Sequence, residues 1–196
     1  ALPNLDFKIM QGNSLLEQYK GADLSTMTEK KVGAGQGVTI FDSMLDVYRK
    51  NLRDKLAEYY ACPEHDKKAQ LRKDIADIVK QELDEQGIRI DFEDMDLSAN
   101  SQFFLWHTWF HDVFSRPSKE GFDIVIGNPP YGAKYDNQTK RYYKNTYVTA
   151  NSIRGLQKGS LDTYTLFIEL GYNLLRRNGS FAYIVPISLT SSDSLT

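Results

Sequence analysis

The sequence predicts an α/β fold, a parallel sheet with a helical insertion ahead of its main strands. Three observations carry that expectation. Phe122-Asp123-Ile124-Val125-Ile126-Gly127 is a nearly continuous apolar run, as expected of a central parallel strand covered on both faces. Phe181-Ala182-Tyr183-Ile184-Val185-Pro186 is a second run of the same kind. Between them, Asp162 to Arg177 places Leu166, Ile168, Leu170, Leu174 and Leu175 at helical spacing, closed by Gly179. Strand, helix and strand in that order make a right-handed βαβ unit.

Taken in chain order, Phe7-Lys8-Ile9-Met10-Gln11-Gly12-Asn13 alternates apolar and polar residues and then turns, which predicts a short strand. Gly33, Gly35 and Gly37 follow in a loop-like stretch. Two helical runs come next. About Asp42 to Tyr60 carries Met44, Val47, Tyr48, Leu52, Leu56 and Tyr59, with Asp42 or Ser43 as N-cap. About Pro63 to Gln86 carries Leu71, Ile75, Ile78, Val79 and Leu83, with Gly87 as its stop. The pair predicts a helical hairpin. Phe103 to Phe114 is dense in aromatic residues and predicts packing of a helix and loop against the sheet. Tyr135 to Ser160, polar and basic, predicts a mobile loop. Residues 1–41, 42–102 and 103–196 thus divide into a first strand with its connection, a helical insertion, and the main strands.

Composition narrows the class. The chain has 196 residues, 41% hydrophobic and 26% charged, enough for one domain with a real core. A net charge of -2 gives no global footprint for nucleic acid, though it leaves room for a local basic patch. The single cysteine, Cys62, cannot form an internal disulfide and suits a reducing cytoplasm. No stretch approaches the roughly 18 apolar residues of a membrane-spanning helix. His107 and His111 are four residues apart, but without a third ligand nearby they predict no metal site. Both ends read as cut from a longer chain.

The chemistry lies in Asn128-Pro129-Pro130-Tyr131, immediately after the first apolar run. Open α/β sheets bind ligands at the carboxyl ends of their strands. Two prolines fix the backbone and remove two N–H donors, leaving the Pro129 carbonyl with little internal competition. An exocyclic amine has two N–H donors, which the Asn128 amide oxygen and the Pro129 carbonyl can accept. The nitrogen lone pair is then drawn out of the ring and becomes nucleophilic, while the Tyr131 ring stacks on the base. An activated sulfonium methyl needs neither a strong base nor a metal.

Phe122 to Tyr131 resembles the catalytic motif of amino-methyltransferases that use S-adenosyl-L-methionine. Trp106, then Trp109 to Phe114, then Gly121-Phe122-Asp123 entering the motif, resembles the methylase half of Type IIG restriction-modification enzymes. Leu2 to Leu15 and Gly179 to Pro186 are similar to neighbouring strands of that family. The resemblance implies part of a Rossmann-like methyltransferase sheet, and transfer of methyl to the N6 amine of an extruded adenine in double-stranded DNA. It also implies a cofactor contact at Asn13. The family's Gly-rich cofactor loop, nuclease and target-recognition parts have no counterpart, and Gly33-Ala34-Gly35-Gln36-Gly37 lacks the preceding strand and following helix such a loop needs. The chain is therefore expected to depend on the rest of its parent for cofactor binding and activity.

Lys134, Lys140, Arg141, Lys144, Arg154 and Lys158, interleaved with Tyr135, Tyr142, Tyr143 and Tyr147, follow the motif directly. Basic residues hold phosphates and tyrosines stack on extruded bases, so Lys134, Lys140, Arg141, Tyr142, Tyr143 and Lys144 are the expected DNA contacts. Two alternatives stay open. Protein-glutamine and ribosomal-RNA guanine methyltransferases resemble the same motif, and a non-catalytic scaffold or DNA-binding module would carry it without turnover.

Overall fold

The computed structural model describes residues 7–19, 22–23, 40–85, 87, 96–97, 99–114, 116–151 and 163–187. The chain divides into two compact units, Ala1–Asp112 and Val113–Thr196.

The first unit is built on the expected hairpin, α1 (Ile40–Ala61) and α2 (His65–Glu85). Leu71, Ile75, Val79 and Leu83 recur every four residues on α2 and are all buried, one side of a helix closed against a core. Leu52 and Tyr59 of α1 join the same core. Gly87 ends the hairpin with φ +77°, the left-handed conformation that a Cβ disfavours. Two details differ from expectation. Asp42 and Ser43 lie within α1, which starts at Ile40. Val47 is 57% exposed, an ordinary position for a single surface apolar residue.

The strand expected at Phe7–Asn13 does not form. Phe7 sits in a turn with φ 57°, and only Gln11 pairs, in one parallel bridge with Ala99. Close packing takes the place of a ladder: a Cβ on Gly12 would lie 2.4 Å from the Phe103 carbonyl oxygen. Phe7 is held edge-on to Tyr59, ring centroids 5.0 Å apart. Further on, β1 (Gln18–Tyr19) and β2 (Ala22–Asp23) form a small antiparallel pair.

Phe103 to Trp109 pack into the core of the first unit with residues of the hairpin, where the sequence predicted packing against the sheet. Phe103, Leu105 and Trp109 are core residues. Around α3 (Trp106–Trp109), the Trp106 indole N–H donates to the Ser14 carbonyl at 2.9 Å, and its backbone N–H to Glu17 Oε1 at 2.8 Å. The first unit ends at Asp112, and within it Trp106 is anchored on residues 14–17. Helix α4 (His111–Phe114) crosses the division.

The second unit holds a parallel pair, β3 (Phe122–Gly127) and β4 (Leu175–Tyr183), with Val125 opposite Phe181 and Gly127 opposite Tyr183. Helix α6 (Thr163–Leu174) packs on one face of it. A Cβ on Gly171 would lie 2.5 Å from the Phe181 ring, so the helix approaches closely only because that residue is glycine. The helix stops at Leu174, short of the expected Arg177. Leu175 already pairs with Phe122, and Asn178, with φ 61°, turns the chain before the ladder resumes at Ser180. Gly121, with φ +108°, lets this turn close, since a Cβ there would meet the Arg176 nitrogen at 2.6 Å. Among the described residues one face of the pair is covered: Ile124 and Ile126 are 64% and 74% exposed, because α6 packs on the side of the pleat that carries Phe181 and Tyr183.

Asp123 anchors the start of β3. It accepts from Arg116 Nη1 at 2.8 Å and also pairs with Arg176. These two guanidiniums, Arg116 first, lower its carboxyl pKa to about 2.

Candidate functional site

Asn128 leaves the carboxyl end of β3, where the ladder gives way to the turn. The chain is gripped there by the residue that follows β4: the Ile184 N–H donates to the Gly127 carbonyl at 3.0 Å. Pro129 is buried, while Asn128 and Pro130 are exposed. Tyr131 is 50% exposed. Its hydroxyl lies 3.1 Å from Asn128 Oδ1 and 3.1 Å from the Ile184 carbonyl oxygen, within hydrogen-bond distance of both acceptors. No described residue donates to the Pro129 carbonyl. Two amide-type acceptors and an accessible aromatic ring are thus brought together in one turn. Acceptors of this kind suit the hydrogens of an amine, and the Tyr131 ring is accessible beside them. Gly132, with φ +66°, then redirects the chain.

The segment expected to be a mobile loop contains α5 (Asn137–Thr146) and a 3₁₀ turn (Thr149–Asn151). Asp136 caps α5, accepting from the Thr139 N–H at 2.8 Å and from its hydroxyl at 3.1 Å, and these bonds lower the Asp136 carboxyl pKa. The buried side is aromatic. Tyr143 is 0% exposed, Tyr147 is buried beside it, and the Tyr135 ring meets Tyr143 edge-on at 4.9 Å. Burial raises the Tyr135 pKa, and its hydroxyl donates to Thr163 Oγ1 at 2.9 Å. Tyr143, one of the expected DNA contacts, is thus buried as placed. Tyr142 and Lys140 are half-buried, and Lys134, Arg141 and Lys144 are exposed.

Asn13 belongs to the first unit and the Asn-Pro-Pro-Tyr turn to the second. The Asn13 side-chain oxygen accepts from the Leu15 N–H at 3.3 Å, an Asx turn. Gly33 to Gly37, Arg154 and Lys158 lie outside the described residues. His107 Nδ1 is 3.7 Å from Glu17 Oε1. Among the described residues no cluster of three or more His, Cys, Asp or Glu is arranged to hold a metal ion, and no helix is long and apolar enough to cross a membrane.

Two residues of this region were not foreseen. Ile184 acts through its backbone, which composition cannot reveal. Glu169 of α6 accepts from the N–H groups of Val148 and Thr149 at 2.7 and 2.8 Å and from the Thr149 hydroxyl at 2.6 Å. A carboxylate midway along an apolar helix was the only available signal for it.

Known proteins match this sequence. The chain is 33% identical over 110 residues to the Type II methyltransferase M.TthHB8I of Thermus thermophilus, covering 51% of this chain and 23% of that protein. It is 28% identical over 103 residues to the Type II methyltransferase M.AccI of Acinetobacter calcoaceticus, covering 53% of this chain and 16% of that protein. The chain therefore spans about a quarter or less of the length of these curated relatives. No solved structure matches it. The model of the Eco57I restriction-modification methylase family matches residues 16–195. With the match running through both units and across the Asn-Pro-Pro-Tyr turn, the chain belongs to the Eco57I restriction-modification methylase family.

Proposed function

We propose that this chain contributes the target-base side of a DNA adenine-N6 methyltransferase of a restriction-modification system. The observation that carries the reading is the pair of acceptors after β3, Asn128 Oδ1 and the Pro129 carbonyl, next to the exposed Tyr131 ring. An adenine extruded from the duplex would donate its two amine hydrogens to them and lie against Tyr131. Accepting both hydrogens makes the nitrogen nucleophilic in line with the donor. Lys134, Arg141 and Lys144 stand beside this turn in sequence and supply phosphate contacts. β3 and β4 are two strands of a larger Rossmann-like sheet in this reading, with the exposed Ile124 and Ile126 on a face meant for further packing.

S-adenosyl-L-methionine would supply an activated methyl group. Asn13 is the one described residue assigned to it, and its side-chain oxygen is already engaged with the Leu15 N–H. In this reading the cofactor site is completed by other parts of the full-length protein, to which the transfer is assigned together with its nuclease and target-recognition parts. The test is transfer of tritiated methyl from S-adenosylmethionine by the full-length protein to duplex DNA, with Asn128→Ala alongside. Label recovered as N6-methyladenine, reduced about 10²- to 10³-fold by Asn128→Ala as for loss of one preorganised polar contact, supports the reading. Label in release-factor protein or ribosomal RNA but not DNA refutes it.

A further inference from the structure

The phenol of Tyr131 offers more than a ring. Its oxygen lies 3.1 Å from both Asn128 Oδ1 and the Ile184 carbonyl. The same Ile184 holds Gly127 through its N–H at 3.0 Å. One backbone residue therefore grips both ends of the Asn-Pro-Pro-Tyr turn, with Asn128 between the two grips. Asn128 is exposed, and the Tyr131 hydroxyl is the described group bonded to its amide.

We propose that the Tyr131 hydroxyl is a positioning group that holds the Asn128 amide with Oδ1 toward the incoming amine. This deepens the amino-methyltransferase reading and rests on it. The outer torsion of an asparagine is broad and two-fold, so an unheld amide presents its NH₂ as readily as its oxygen. Only the oxygen is useful, because the target amine is itself a donor. In this arrangement the one tyrosine hydrogen is shared between the two oxygens, each 3.1 Å away, so that the amide presents its oxygen there rather than its NH₂. An amide oxygen has two lone pairs, one for Tyr131 and one for the substrate. The tether to residue 184 fixes this geometry relative to β4.

The test is Tyr131→Phe in the full-length protein, which keeps the ring and removes the hydroxyl. With the hydroxyl gone, kcat should fall about 2- to 12-fold, the worth of one hydrogen bond. KM for DNA should stay unchanged, as should the fluorescence of 2-aminopurine placed at the target adenine, because the ring still stacks. In protein labelled with ¹⁵N-asparagine, the Asn128 side-chain amide resonances should move. An unchanged kcat, a raised KM at constant kcat, or unmoved amide resonances each overturn the proposal. If the wild-type protein methylates no DNA, the functional reading fails, and the amide resonances still decide whether the hydroxyl orients Asn128.

Discussion

Glu169→Ala should loosen the basic helix α5 without touching it. Glu169 takes three hydrogen bonds, from the N–H groups of Val148 and Thr149 and the Thr149 hydroxyl, at 2.6–2.8 Å. These residues directly follow α5, so the carboxylate fastens that helix to α6. Bonds to a charged acceptor contribute about 1.5–3 kcal/mol each. Val148 is exposed and Glu169 half-buried, so water replaces most of what is lost, and the net cost is about 2 kcal/mol, roughly one such bond. At 1.4 kcal/mol per tenfold, local opening becomes about 30-fold more frequent. Hydrogen–deuterium exchange read by mass spectrometry on the peptide covering residues 137–151 measures this. Acceleration of that peptide, with peptides from α1 and α2 unchanged, is the expected result. Exchange within twofold of wild type would show that Glu169 does not hold the segment and would refute the reasoning.

Three further outcomes follow from the same geometry. Gly171→Ala forces a methyl to within 2.5 Å of the Phe181 ring, so it should cost about 1–3 kcal/mol by overpacking, read as a lowered midpoint of denaturant unfolding. Asp123 is held near pKa 2 in the folded state by Arg116 and Arg176, below the roughly 3.9 of a free aspartate. Its stabilisation is present above about pH 4 and is lost as pH falls toward 2; acid unfolding curves of Asp123→Asn should lack that segment, and identical curves would discount the ion pair. Replacing both Arg141 and Lys144 with Ala should weaken DNA binding by the full-length protein about equally for all sequences. The salt slope should fall by about 2, as expected for two phosphate contacts, and an unchanged slope would place DNA elsewhere.

The hairpin was legible in the sequence because its buried faces are aliphatic at helical spacing, a pattern that few other structures satisfy. Strand β3 was legible for a similar reason, and the Asn-Pro-Pro-Tyr turn because two prolines leave the backbone little choice. Helix α5 was not. Its buried residue is Tyr143, with Tyr135 and Tyr147 flanking the helix, residues with a polar tip that suit a core and a ligand surface equally well. Among basic neighbours they resembled a DNA-stacking loop. The Asp136 cap was present as a signal, but with no aliphatic stripe behind it.

The local sequence alone determined where a rigid turn follows a buried-type strand, and which atoms in that turn are hydrogen-bond acceptors. Those properties depend on proline geometry and on the chemistry of one amide, both set by covalent structure. The tertiary structure decided which neighbours hold the turn. Ile184 lies 53 residues from Tyr131 in sequence, and its contribution is a backbone N–H and carbonyl that every non-proline residue carries. Only the pairing of β4 with β3 brings that peptide against the turn. Side-chain identity can specify an acceptor, but its orientation depends on contacts that form only once distant strands are packed side by side.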